Sequence, residues 1–202
     1  MPLIDLDLPA DATPLPREVR AFLREARRRI ERFQRECRVP GFVASDFPMI
    51  YAALRALVEG GFASGNLFCE WGSGFGVVAC LAAMLQFDAC GIEIEPELVD
   101  HAQRLADDFD LPVRFLHGSF LSARDENALE ESDEFAWLTT EGQGAPPELE
   151  LGTADFDVIF VYPWPDEEQL IENLFQRHAA AGALLMTYQG GDALRLRRKK
   201  GG

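Results

Sequence analysis

The residues Glu70-Trp71-Gly72-Ser73-Gly74-Phe75-Gly76 follow the apolar run Leu67-Phe68-Cys69 and lead into Val77-Val78-Ala79-Cys80-Leu81-Ala82-Ala83-Met84-Leu85. That succession predicts strand, tight turn and helix. Glycines in such a turn let the backbone take positive φ and approach a ligand closely, while the unpaired N–H groups of the new helix face the same cleft. A dinucleotide fingerprint needs its third glycine one residue later, where this chain has Val77. Glu70 points the same way, because a carboxylate at the mouth of the loop repels a pyrophosphate but can accept hydrogen bonds from an ammonium group.

About twenty residues further on, Ala89-Cys90-Gly91-Ile92-Glu93-Ile94-Glu95-Pro96 reads as a second short strand ending in acids. A carboxylate at that strand end can accept from both hydroxyls of a ribose. The pattern acidic-x-Gly-x-Gly-x-Gly, complete at Glu70, Gly72, Gly74 and Gly76, resembles the first motif of class I, seven-β-strand methyltransferases that use S-adenosylmethionine (SAM). That ligand carries an ammonium and a sulfonium and no phosphate. The resemblance places Ser73 within the cofactor loop, the ribose-binding acid at Glu93 and an adenosine contact at Ile94.

A third strand, 112–116, precedes His117-Gly118-Ser119-Phe120, where the family usually has a Gly-acidic pair near the adenine amino group. Ser119 stands in place of the acid, implying a weaker or water-mediated contact, and Phe120 joins the cofactor residues. His117, alone at a strand end, reads as a structural hydrogen-bonding group and receives no role.

The run 155–161, near-continuously apolar and bounded by acids, reads as a buried parallel strand. It ends in Tyr162-Pro163-Trp164-Pro165, and ligands of open α/β sheets bind beyond the carboxyl ends of strands. In amino-group methyltransferases the matching motif is an acid or amide, two prolines and an aromatic residue. Here Tyr162 replaces the polar residue and Trp164 intervenes. Tyr162 and Trp164 are the candidate catalytic residues facing the methyl acceptor; the alternative is that both rings only cap the core.

These residues need a scaffold. Helical spacing over 96–109 and an acidic-first helix over 166–181 separate the strands, and 182–188 reads as a fifth strand. Ahead of them, Val19, Phe22, Leu23, Ala26, Ile30 and Phe33 fall on one face of an arginine-rich helix over 17–37. A second helix over 47–59 is capped by Asp46, with Pro48 in its first turn. In the family, helices of this kind often roof the cofactor pocket, so Asp46, Phe47 and Tyr51 are candidate neighbours.

The expected fold is α/β: a Rossmann-like, open, mostly parallel sheet flanked by helices, with an N-terminal helical extension. Its C-terminal edge is either shortened or covered by the N-terminal segment. The expected divisions are a loose arm (1–16), N-terminal helices (17–60), a SAM-binding domain (61–194) and a basic tail (195–202).

The 202 residues carry a net charge of −15, and 48% are hydrophobic. The charge is unevenly spread: residues 39–194 hold five basic residues against 27 acids, a net of −22. Such a field disfavours nucleic acid, which is bound by neutralising phosphates, and attracts cations. No apolar run reaches the ~18 residues of a membrane span, and no signal peptide is visible. Four scattered cysteines without metal spacing suggest reduced thiols in a cytoplasm and no metal site. The acidic stretch 121–154 reads as part helix and part substrate loop, or as a solvated face. The resemblance implies SAM as cofactor and methyl transfer to an unidentified acceptor, for which an amine of a protein or small molecule is one candidate. A SAM-binding module without catalysis, acting through its arginine helix and tail, is a second reading. An NAD(P)-dependent oxidoreductase is a third. Oligomeric state is not legible.

Overall fold

The computed structural model describes residues 2–9, 13–37, 39, 42–120, 153–164, 167–191 and 193–201. The acidic stretch therefore lies outside the described residues except for 153 and 154, as do Pro165 and Asp166.

The elements, in chain order, are β1 (Leu3–Leu6), α1 (Arg17–Glu36), α2 (Phe47–Glu59), β2 (Leu67–Trp71), α3 (Val77–Met84), β3 (Asp88–Glu93), α4 (Pro96–Asp107), β4 (Arg114–His117), β5 (Val158–Val161), α5 (Glu168–His178), β6 (Leu184–Tyr188) and β7 (Leu194–Lys199). One seven-stranded sheet runs in the order β1-β7-β6-β5-β2-β3-β4. β2 pairs in parallel with both β3 and β5, and β4 and β6 extend the parallel run on either side. The chain steps outward in one direction through β3 and β4 and in the other through β5 and β6. The crevice at the carboxyl ends of β2 and β5 is therefore the topological switch point, where such sheets bind ligands.

The helices follow from their sequences. The six apolar residues at helical spacing in α1 are its six buried ones, so burial of one stripe offsets the entropy of ordering an otherwise charged helix. Asp46 Oδ1 accepts from Met49 N at 3.1 Å and caps α2, with Pro48 in the first turn. α3 is buried on nearly every side, which is why its sequence is apolar throughout and shows no stripe. The four cysteines are free, and Cys69, Cys80 and Cys90 are buried. No described helix is long and apolar enough to cross a membrane.

The two chain ends correct the sequence expectation. The segment read as a loose arm contains β1, and the segment read as a basic tail supplies all of β7 after its first residue, Leu194. These strands pair antiparallel from Leu3 with Lys199 to Leu6 with Leu196, and β7 pairs antiparallel with β6. The N-terminal segment thus covers the sheet edge, and the sheet is not shortened. The basic residues of β7 are taken up by the fold: buried Arg197 pairs with Glu172, Lys199 Nζ donates to Ala179 O, and Arg198 donates to Phe62 O at 2.7 Å. Pairing between residues nearly two hundred positions apart leaves no local signature. β7's charges also mask its strand pattern, because their alkyl stems are what the fold buries.

Other bounds shift by a few residues. β5 begins at Val158, after a single 3₁₀ turn over Thr153–Asp155. Asp157 is withdrawn from the strand to accept from Ser64 Oγ and Leu67 N, both at 3.0 Å. β4 extends to His117, and α5 ends at His178.

Candidate functional site

A cavity of about 400 Å³ opens at the switch point, within the size range of small-molecule sites. Every cofactor candidate except Gly76 lines it: Glu70, Gly72, Ser73, Gly74, Glu93, Ile94, Ser119 and Phe120. Both catalytic candidates, Tyr162 and Trp164, are also in its wall. The structure thus brings together residues spread over almost a hundred positions.

The glycines divide their tasks. Gly72, Gly74 and Gly76 all have positive φ, from 53° to 68°. A Cβ on Gly76 would stand 2.2 Å from the Phe115 ring, so this glycine lets α3 pack against β4 rather than facing the cavity. A Cβ on Gly74 would meet the Phe42 ring at 2.8 Å, whereas one on Gly72 would enter open space. Only at Gly72 does the bare backbone leave room for a ligand.

Glu93, at the end of β3, is a buried carboxylate that organises the loop. Its Oε2 accepts from Gly74 N at 2.7 Å and its Oε1 from Glu95 N at 3.0 Å. Burial raises its pKa, opposed by these backbone N–H groups. With the Ile94 N–H also acting on this carboxylate, the lone-pair capacity left over can still accept from a ligand hydroxyl. Glu70 is more committed: its Oε2 accepts from Ala79 N at 2.9 Å, in the first turn of α3. Burial pushes its carboxyl well above the usual carboxylate range, and the Glu93 charge adds to this against the opposing Ala79 N–H. The oxygen expected to receive a ligand ammonium is therefore spent on the helix, where it satisfies an N–H of the first turn. The Ala79 N–H at this end of α3 is thereby withdrawn from any ligand.

The aromatic residues form two groups. Trp71 stacks on Phe120 with ring centroids 4.9 Å apart and planes 4° from parallel. Tyr162 packs edge-on against Tyr188 at 4.8 Å, and Trp164 is 39% exposed at the rim. His117 Nε2 lies 2.9 Å from Ile94 O, the structural hydrogen bond expected of it. Of the three roof candidates, Phe47 lines the cavity. Asp46 is absorbed in capping, and Tyr51 is buried beneath the Arg55 guanidinium.

Sequence reasoning missed two parts of the wall. Phe42, Val43, Ala44 and Ser45, between α1 and α2, line the cavity, with Phe42 against Phe33 and Phe75. They have no periodicity to betray them. Glu167 was also missed: it is buried in the wall, with its Oε2 accepting from Trp164 N at 3.0 Å and its own N–H donating to Trp164 O at 3.1 Å. The available signal was an acid three residues past a strand-end aromatic, the spacing of a side chain that reaches back to close a turn.

The donor set can be tested against SAM. Ser73 Oγ is buried without a hydrogen-bond partner, and its residue lines the cavity beside the open space at Gly72. The described lining holds four glutamates, Glu70, Glu93, Glu95 and Glu167, and no Lys, Arg or His. These features fit a cationic ligand bearing ribose hydroxyls and give a pyrophosphate no cationic side chain.

No protein-family model and no curated protein matches the sequence. Solved structures do match in fold. A methyltransferase from Geobacter sulfurreducens is 16% identical over 93% of each chain, with a TM-score of 0.54. An RNA methyltransferase from Salinibacter ruber in complex with S-adenosylhomocysteine is 18% identical, over 78% of this chain and 92% of that one, with a TM-score of 0.52. An O-methyltransferase from Bacillus cereus, also with S-adenosylhomocysteine, is 13% identical over 87% of this chain and 67% of its own, at 0.51. The chain therefore has the Rossmann-like α/β fold of class I methyltransferases.

Proposed function

We propose that this protein is a SAM-dependent methyltransferase, with the cofactor on the β2–β3 side of the switch point and the methyl acceptor on the β5 side. One observation carries the reading: the glycine loop leaves open space at Gly72 next to a strand-end carboxylate, Glu93, in a cavity whose described lining has no cationic side chain. When bound, SAM supplies a sulfonium-activated methyl group. The chain's own task is then chiefly to position the nucleophile and exclude water, as proximity arguments require.

Glu93 would accept from the ribose hydroxyls while continuing to hold Gly74, and Ser73 Oγ would gain the partner it lacks. Ile94, Ser119 and Phe120 would bound the adenine. Tyr162, Pro163 and Trp164 would form the acceptor wall, where the Tyr162 hydroxyl can take a hydrogen bond from a nucleophile. Relatives named for RNA methylation and for O-methylation share this fold, so the fold does not select the acceptor. An amine acceptor of pKa ~10.4 must lose a proton at a cost of about 4.6 kcal/mol at pH 7, and desolvation against Tyr162 and Trp164 lowers that cost. The non-catalytic reading, kept open by the substituted Tyr162-Pro163-Trp164-Pro165 motif, loses the tail as a partner surface because it folds into β7, and the NAD(P) reading finds no cationic side chain in the described lining to pair a phosphate.

The test is transfer of labelled methyl from SAM into fractions of a cell lysate and a panel of amines, phenols and RNA. Labelled product in at least one acceptor class is expected. A chain that binds SAM yet labels none of them contradicts catalysis.

A further inference from the structure

The cavity's four carboxylates are not equivalent. Glu70 and Glu93 are held by Ala79 N and by Gly74 N and Glu95 N on the glycine-loop side. Glu95 belongs to the same side, just past β3. Glu167 alone lies across the switch point, in the turn between β5 and α5 that also carries Tyr162, Pro163 and Trp164. We infer, on the footing of the function proposed above, that Glu167 is the acceptor-binding residue, and that the acceptor presents an ammonium group on an apolar body.

Three observations carry the assignment. Glu167 is 95% buried in the cavity wall, and among the described residues its side chain accepts a single hydrogen bond, from Trp164 N on Oε2. A buried carboxylate is costly unless paired, and the described lining offers no cationic side chain to pair it. The neighbouring surface is aromatic, with Trp164 partly open to solvent, and an ammonium gains from an aromatic face as well as from a carboxylate. Burial also raises the carboxyl's pKa, against the Trp164 N–H that lowers it; an incoming cation would relieve that penalty. An anionic acceptor would meet the opposite field.

The turn clamp itself is structural, so the test must separate clamp from charge. Glu167→Gln keeps an oxygen for Trp164 N and removes the charge. Glu167→Asp keeps the charge. The full-length chain, saturated with S-adenosylhomocysteine, is titrated calorimetrically with benzylammonium, benzyl alcohol and benzoate, and each variant is titrated separately with SAM. Expected are saturable benzylammonium binding to the wild type and a loss of at least about tenfold in Glu167→Gln, the scale of one charge-assisted hydrogen bond. Benzyl alcohol affinity should not change, and SAM affinity should fall by less than benzylammonium affinity. In Glu167→Asp, preference for the ammonium over the alcohol should persist. If SAM binds normally but benzylammonium does not saturate, binds Glu167→Gln equally well, or binds more weakly than benzoate, this assignment is overturned alone. If SAM fails to bind the wild type, the proposed function falls first and this assignment with it.

Discussion

Gly72 and Gly76 share a left-handed backbone but differ in what a methyl group would meet, so the two alanine variants separate folding from binding. Gly76→Ala carries the left-handed penalty of about 1–2 kcal/mol and forces a Cβ to 2.2 Å from the Phe115 ring and 3.0 Å from Ala102 Cβ. Overpacking of this kind adds about 1–3 kcal/mol, for a total of about 2–5 kcal/mol. That is a large share of the ~5–15 kcal/mol that holds a domain together. Gly72→Ala carries only the backbone penalty, because its Cβ would enter open space. That space is where the cofactor is proposed to lie. A methyl group pressed against a ligand at about 1–3 kcal/mol weakens binding about 5- to 160-fold. Urea unfolding gives the stabilities, and calorimetric titration with SAM gives the affinities. Gly76→Ala should be the less stable variant by at least about 1 kcal/mol, and Gly72→Ala should be folded but impaired in SAM binding. Equal stabilities, or wild-type SAM affinity in Gly72→Ala, would refute the division of labour between these glycines.

Three further outcomes are expected. Asp46→Ala should cost about 1 kcal/mol in urea unfolding, because it removes the oxygen that caps Met49 N; no change would mean that α2 is held by packing alone. Phe22→Ala should cost about 3–5 kcal/mol, since the ring is fully buried and packs edge-on against Phe109 at 5.1 Å, and a loss below about 1 kcal/mol would place α1 outside the core. Glu70 has its folded pKa raised by burial, so the folded state holds the proton more tightly than the unfolded chain. Its contribution is complete below the unfolded value near 4.5 and declines as pH rises toward the raised folded value. Unfolding curves measured from pH 4 to pH 8 should therefore show Glu70→Gln gaining on the wild type as pH increases, and a difference that shrinks with pH would reverse the sign assigned here.

Where local sequence governs structure, the chain could be read directly. The six buried residues of α1, the Asp46 cap and the turn from Glu70 to Gly76 each follow from periodicity, capping chemistry or glycine spacing. The site was legible in its residues more than in their geometry. Glu70 and Glu93 were identified as key carboxylates, but sequence could not indicate that each would spend oxygens on backbone N–H groups. What escaped was set by distance along the chain or by the absence of a repeat. Leu3–Leu6 gains its strand character only from β7, and Phe42–Ser45 joins the wall because α1 and α2 place it there. Glu167 looked like one acid among many before its turn closed on Trp164.

The central claim is that the cavity at the carboxyl ends of β2, β3 and β5 is a SAM site. Calorimetric titration of the full-length chain with SAM and, in parallel, with NAD⁺ tests it most directly. The predicted result is saturable binding of one SAM per chain, weakened at least about tenfold by Glu93→Ala, with no saturable heat from NAD⁺. Absence of SAM binding, affinity unchanged in Glu93→Ala, or tighter binding of NAD⁺ would contradict it.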